Sequence, residues 1–173
     1  GASVGTISYV SSDSDVELAY GVNYTKSINA VVGVQAGFLS GALTNSSGTL
    51  DFSALTAKGL VNLSNLSIST CADLKFYASA GASLMSVEDG GSALMPNLGG
   101  GLKYAISDKH ENMDIDLSAS VGAGSITNQK IDPHMMINLG LNYRFSTKEE
   151  SVEWNNPLDV MYGDIANVKT EIE

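Results

Sequence analysis

The sequence predicts an eight-stranded antiparallel transmembrane β-barrel followed by a short acidic, partly helical tail, and three observations carry that reading. Residues 132–145, DPHMMINLGLNYRF, put Met135, Ile137, Leu139, Leu141, Tyr143 and Phe145 on one parity and Met136, Asn138, Gly140, Asn142 and Arg144 on the other, the period of two that marks a strand. The apolar face ends in an aromatic pair opposite Asn, Gly and Arg, which suits lipid outside and a polar interior. The same alternation recurs along the chain in segments of about ten residues, the length that crosses a bilayer as a tilted strand. The 173 residues are enough for eight such segments and a tail, and glycine is abundant at 18 while charged residues are sparse at 16 %.

Taken in order, residues 1–9 form a first strand and Ser11 to Asp15 a polar loop. Val16, Leu18, Tyr20, Val22 and Tyr24 then alternate with Glu17, Ala19, Gly21 and Asn23, and residues 25–29 make a short turn. The third strand covers residues 30–42, and its loop, residues 44–49, is built from turn-forming residues. The fourth returns through Leu55, Ala57, Gly59, Val61 and Leu63 opposite Thr56, Lys58, Leu60 and Asn62. Phe52 and Ala54 have the wrong parity for a polar interior, so a bulge is expected near Ala54.

Residues 62–73 connect to a fifth strand, in which Leu74, Phe76, Ala78, Ala80, Ala82 and Leu84 alternate with Lys75, Tyr77, Ser79, Gly81 and Ser83. Glu88 to Gly91 ends it. The sixth sets Leu98, Gly100, Leu102, Tyr104 and Ile106 against Asn97, Gly99, Gly101, Lys103 and Ala105, and turns at residues 107–112. The seventh sets Met113, Ile115, Leu117, Ala119, Val121 and Ala123 against Asp114, Asp116, Ser118, Ser120, Gly122 and Gly124, and residues 125–133 lead into the last strand.

A chain with lipid-facing alternation needs every backbone group satisfied in hydrocarbon, which a closed barrel achieves. Gly33, Gly37 and Gly41 also fall at the four-residue spacing of helix-dimer motifs. Val32, Val34, Ala36 and Phe38 nevertheless alternate with Gly33, Gln35, Gly37 and Leu39, and glycines facing a narrow barrel interior explain the same spacing. Phe145, at the end of an even-stranded barrel, lies on the side where the first strand enters. The loops at Ser11, Asn45, Asp89 and Asn128 are then expected outside, and the turns at Lys26, Cys71 and His110 in the periplasm.

Parity sorts the charges as well. Glu17, Lys58, Lys75, Lys103, Asp114, Asp116 and Arg144 all fall on the inward face, whereas a charge facing lipid near the midplane costs about 2–4 kcal/mol. An eight-stranded barrel is just wide enough for side chains to fill. A packed network of ion pairs and hydrogen bonds is therefore expected inside, in preference to an ion-conducting or proton-relay path.

The formal net charge of -10 argues against nucleic-acid binding. Residues 146–173 hold seven acidic residues against Lys148 and Lys169, so half of that charge sits in the tail. Cys71 cannot form an internal disulfide, and nothing beside it suggests a metal site. His110 and His134 share no recurring serine or carboxylate pattern, and no nucleophile elbow, phosphate loop or metal-ligand spacing occurs. No enzyme activity, cofactor or metal is expected. Asp13 and Asp15 read as a solvated loop rather than a cation site. Glycosylation patterns begin at Asn23, Asn45, Asn62 and Asn65, a pattern common by chance. The opening residues GASVG show no signal-peptide pattern.

The closing MMINLGLNYRF, with Tyr143 and Phe145, resembles the C-terminal assembly signal of bacterial outer-membrane barrels, and residues 1–145 resemble an OmpA-family barrel. Residues 148–173, KEESVEWNNPLDVMYGDIANVKTEIE, are similar to the linker that follows the barrel in OmpA-family proteins of the Bacteroidota, the flavobacterial type in particular. The resemblance implies a bacterial outer-membrane location, contact with outer-membrane lipid and a tail in the periplasm. In that family acidic calcium-binding repeats and a peptidoglycan-binding domain usually follow; neither lies within these residues. Two functions of different class come out of this reading. One is a structural anchor, tied to peptidoglycan through a downstream domain or serving as accessory subunit of an outer-membrane protein-insertion or secretion assembly. The other is a narrow channel through the polar interior.

The tail has its own physical reading. Asn156 can cap a helix with Pro157 in its first position, and Leu158, Met161, Tyr162, Ile165, Val168 and Ile172 recur at helical spacing over residues 157–172. An isolated helix of about sixteen residues is marginal in water. Trp154, Leu158, Met161, Tyr162 and Ile165 are accordingly expected to dock on another protein, or on the protein's own downstream domain.

Phe145→Asp, or deletion of Phe145, is expected to impair assembly into the outer membrane. Heat-modifiable gel mobility of membrane fractions measures it, and wild-type levels of folded Phe145→Asp protein would rule out a signal role for this aromatic.

Overall fold

Each alternating segment forms a strand, and the strands follow one another in chain order around a closed barrel. The computed structural model describes residues 1–9, 16–45, 48–66, 73–88, 91–106, 112–126, 129–146 and 151–154. The strands are β1 Ala2–Tyr9, β2 Glu17–Ser27, β3 Val32–Asn45, β4 Gly48–Asn62, β5 Leu74–Val87, β6 Ser92–Ala105, β7 Met113–Ile126 and β8 Gln129–Tyr143. Neighbours pair antiparallel, and β1 closes on β8 from Ala2↔Leu141 to Tyr9↔His134. The chain enters and leaves at one end of the barrel, here the terminal end. The opposite, far end carries the β1–β2, β3–β4, β5–β6 and β7–β8 connections.

The outward face is apolar and exposed, with Leu18, Val22, Phe38, Leu55, Phe76, Leu84, Leu98 and Leu139 among its members. On β4 and the residue just after it, the outward run of Leu55, Ala57, Gly59, Val61 and Leu63 contains no charge. At about 3.3 Å per residue and a tilt of about 40° it covers about 20 Å, close to the ~25 Å apolar band of an outer-membrane barrel. No helix among the described residues is long and apolar enough to cross a membrane.

Along the axis the interior changes character. Toward the far end, Ile7, Ala19, Phe52, Ala54, Met85, Val87, Ala93, Met95 and Met136 form one buried apolar cluster, with Leu39 against it. This corrects the bulge expected near Ala54. The registers of β4 with β3 and with β5 run unbroken past that residue. Phe52 and Ala54 keep the inward parity of Thr56, Lys58 and Leu60, because the interior they enter is apolar at that level.

The irregularity lies elsewhere. Between β7 and β8 the register shifts from Gly122↔His134 to Gly124↔Ile131, so Asp132 and Pro133 of β8 stand opposite Ala123 alone. A proline lacks the N–H that a ladder needs and is accepted at such a bulge. Pro96 lies just before the β6–β7 ladder, which starts at Asn97, and stands opposite Ala82 of β5. The loop expected over residues 125–133 is correspondingly short, with β7 reaching Ile126 and β8 beginning at Gln129.

Lys26, expected in a turn, is the last outward residue of β2 and is exposed. At a strand end its long side chain can reach out of the apolar band. The turn itself follows Ser27, where the Asn29 side-chain oxygen accepts from the amides of Val31 and Val32 at 2.9 and 2.7 Å. At the β3–β4 hairpin Gly48 has φ +134°, a backbone conformation that residues with a Cβ rarely adopt.

Phe52→Ala is expected to cost about 3–5 kcal/mol, since a cavity remains in the cluster after the side chain is removed. Phe38→Ala, on the exposed face of β3, should cost less because lipid refills the space. Urea unfolding in lipid vesicles checks this; an equal or reversed order would place Phe52 outside the barrel.

Candidate functional site

The charged interior is concentrated at the terminal end, where period two and register bring it together. Lys75 of β5 lies directly across from Lys103 of β6, and Lys103 directly across from Asp116 of β7. Two ammonium groups side by side repel, so acceptors must gather round them. Lys75 donates to the Asn65 side-chain oxygen at 2.9 Å, and Lys103 pairs with Glu153 at 2.5 Å. Arg144, just past β8, pairs with Asp114 at 3.3 Å. All four strand charges at this level are buried.

Residues 151–154 form a strap across this end. The Trp154 amide donates to the Ser151 carbonyl at 2.9 Å and closes a turn. The Glu153 carbonyl accepts from the side-chain amides of Asn62 and Asn65 at 3.1 and 2.9 Å. Its carboxylate takes the Lys103 ion pair and a 3.4 Å bond from the Ser27 hydroxyl. Trp154 is buried between two cations, with Lys75 Nζ 5.5 Å and Arg144 Cζ 5.2 Å from the ring centroid, within the range of cation–π attraction.

This placement differs from the partner docking expected of Trp154. Its ring meets two cations of its own barrel, an electrostatic match available without a second molecule. Residues 151–154, which follow the barrel strands, pack against the end of the barrel. Leu158, Met161, Tyr162, Ile165 and the helix expected over 157–172 lie outside the described residues, as do Asp13, Asp15, Cys71 and His110.

Between the strap and the apolar cluster is a polar chamber of about 90 Å³, whose lining includes Asn23, Lys58, Tyr77, Asn97, Asp116, His134 and Asn138. The Tyr77 hydroxyl donates to Asp116 at 2.8 Å and the Asn142 amide donates to the same carboxylate at 3.4 Å. Gly101 makes room for Tyr77, because a Cβ there would lie 2.8 Å from the phenol oxygen. Buried polar atoms of Asn23, Asn97, Asn138 and His134 find no protein partner among the described residues. A chamber so lined is polar and roomy enough to hold ordered water.

Of the seven inward charges, Lys75, Lys103, Asp114, Asp116 and Arg144 share the terminal half, and Lys58 reaches the chamber beside Asp116. Glu17 stands apart at the far end, beyond the apolar cluster, accepting from the Thr44 hydroxyl at 2.6 Å. Sequence reasoning did not single out Asn62, Asn65, Tyr77 or Glu153 as functional. Asn62 was legible as an inward residue of the fourth strand and Asn65 only as a glycosylation pattern, whereas here both are buried and hold the strap. Tyr77 carried a better signal, an inward phenol in a narrow barrel that needs a hydrogen-bond partner. On the outside, Tyr143 and Phe145 meet edge to face at 5.6 Å. With Tyr24, Phe76 and Tyr104 they supply exposed aromatics near the terminal end, as a membrane-interface belt requires.

No protein-family model matches the chain, and no curated protein does. Solved structures do match. Neisserial surface protein A superposes with a TM-score of 0.66 at 14 % identity, over 83 % of this chain and 94 % of that one. The N-terminal β-barrel domain of Pseudomonas aeruginosa OprF gives 0.54 at 16 % identity, over 82 % and 95 %. The fold is that of the small eight-stranded outer-membrane barrels. Identities this low speak for fold alone, and the outer-membrane barrel fold accounts for the exposed apolar face and the filled interior.

Arg144→Ala should destabilise this barrel by about 3–5 kcal/mol, because it leaves the buried Asp114 carboxylate without its charge partner. Arg144→Met combined with Asp114→Leu should recover most of the loss. Urea midpoints in vesicles compare them, and a double variant as unstable as the single one would show that the pair is not the cause.

Proposed function

We propose that the chain is a structural, non-enzymatic anchor of the OmpA type in a bacterial outer membrane, with its terminal end and tail in the periplasm. The single observation that carries this reading is an interior closed at two levels. The apolar cluster around Ile7, Phe52, Met85, Met95 and Met136 fills the barrel toward the far end, and the strap with Trp154 covers the other. A conducting path would have to pass both. The channel reading is therefore the weaker one, although the chamber between them is polar.

The tail links the barrel to the cell envelope, through peptidoglycan by way of a downstream domain or through a protein-insertion or secretion assembly. What supports this is the resemblance of residues 148–173 to the post-barrel linker of the Bacteroidota type. The apolar stripe of Leu158, Met161, Tyr162 and Ile165, which needs a partner surface, points the same way. Outer-membrane lipid is the barrel's other partner, and no nucleic acid is involved.

In planar bilayers the purified chain should show no stepwise conductance. In cells, photo-crosslinkers at Tyr162 and Ile165 should capture a periplasmic or outer-membrane protein or peptidoglycan. Conductance steps together with empty crosslinking would favour the channel over the anchor.

A further inference from the structure

We infer that the strap of residues 151–154 is a releasable closure over a blind, water-accessible chamber, so that the state of the tail decides whether the buried polar groups of the barrel can be reached. The inference is independent of the anchoring role, since it needs only the barrel and the strap. Barrel closure is complete without the strap, because β1 pairs with β8 along its whole length. The strap itself contributes no strand. Its backbone is held by two asparagine side chains and by one hydrogen bond within its own turn. Among the described residues the strap is also held by the Lys103–Glu153 pair, the Ser27 hydroxyl, the two cations against Trp154 and the burial of that ring. It can therefore leave as a unit without breaking a ladder hydrogen bond.

Seating is incomplete even in the closed form. A cleft of about 340 Å³ beside the strap is bordered by Lys103, Asp114, Asn142, Arg144 and Glu153. Asn142 borders both this cleft and the chamber, whose lining also includes Lys58, Asp116 and the polar atoms of Asn97, Asn138 and His134 that find no protein partner among the described residues. Release of the strap removes Glu153 from Lys103 and Trp154 from between Lys75 and Arg144, and it opens this route. The apolar cluster still fills the barrel beyond. The opened space is thus a dead end reached from the terminal side, not a pore. Any pull on the chain after Trp154 acts directly on the strap.

The test uses the full chain with Cys71→Ser, which removes the natural cysteine, and Ser79→Cys as a thiol in the chamber wall. A small charged methanethiosulfonate reagent reports the open fraction through its labelling rate, and heat-modifiable mobility reports the folded barrel. With the strap intact, labelling should be slow relative to the urea-unfolded chain. Glu153→Gln should raise the rate about tenfold, as loss of one charge-assisted hydrogen bond does to an equilibrium, with the folded band unchanged. Trp154→Ala should raise it as well. In wild type the single tryptophan should resist acrylamide quenching, and Glu153→Gln should weaken that resistance. Unchanged labelling in both variants would show that chamber access does not run through the strap. Wild-type labelling as fast as in the unfolded chain would show that the strap closes nothing. Loss of the folded band in both variants would make the strap an integral part of the barrel rather than a releasable one.

Discussion

Closure of the sheet on itself is the constraint on which the rest of this structure depends. A strand in hydrocarbon has no water to satisfy its free amides and carbonyls, so the first strand must find the last. Once β1 and β8 meet, the circumference is set by eight strands and the interior by what fits inside them. That width explains why Gly101 stands where the Tyr77 phenol passes. It also explains why the long side chains inside the barrel sit at different levels, with Phe52, Met85 and Met95 in one cluster and the lysines and arginine in another.

A narrow interior also makes charge expensive unless it is answered. Register puts Lys75 beside Lys103, an arrangement that is unfavourable when considered alone. The answer comes from three parts of the chain: Asp114 and Asp116 from β7, Asn65 from the short 3₁₀ turn Ser64–Leu66, and Glu153 from beyond the last strand. Replacing a buried pair by apolar groups is often neutral or stabilising, so these pairs are weak evidence for stability in themselves. Their consequence is positional. They fix where the chain goes after Arg144.

Strand parity was legible in the sequence because a period of two requires only local information. The inward placement of Lys75, Lys103, Asp114, Asp116 and Arg144 follows from counting, as does the inward set of Gly33, Gln35 and Gly37. Counting failed where it leaned on an assumption about the interior. Phe52 and Ala54 suggested a bulge only if every inward residue had to be polar, and the far end of this interior is apolar. Pro133 was the better marker of irregularity, because its missing N–H forbids a normal ladder position. The strap was not legible. Trp154 looks like an interface anchor in isolation, whereas its ring meets cations from β5 and from the residue after β8, and the Glu153 carbonyl beside it is held by two asparagines near the end of β4, which no local pattern connects.

The two closures of the barrel are built from opposite chemistry, and this decides how each can behave. The far-end cluster is held by burial of Ile7, Phe52, Met85, Met95 and Met136, whose removal would leave a cavity that the stiff sheet cannot collapse. It belongs to the core and forms with the barrel. The terminal closure combines the burial of Trp154 with directional contacts to residues 151–154, and Glu153 is the more exposed member of its ion pair. Directional contacts to a segment outside the sheet can be exchanged for water one at a time, whereas a packed cluster gives way only as a whole. The contacts that water can replace one at a time are therefore gathered at the end where the chain leaves the barrel.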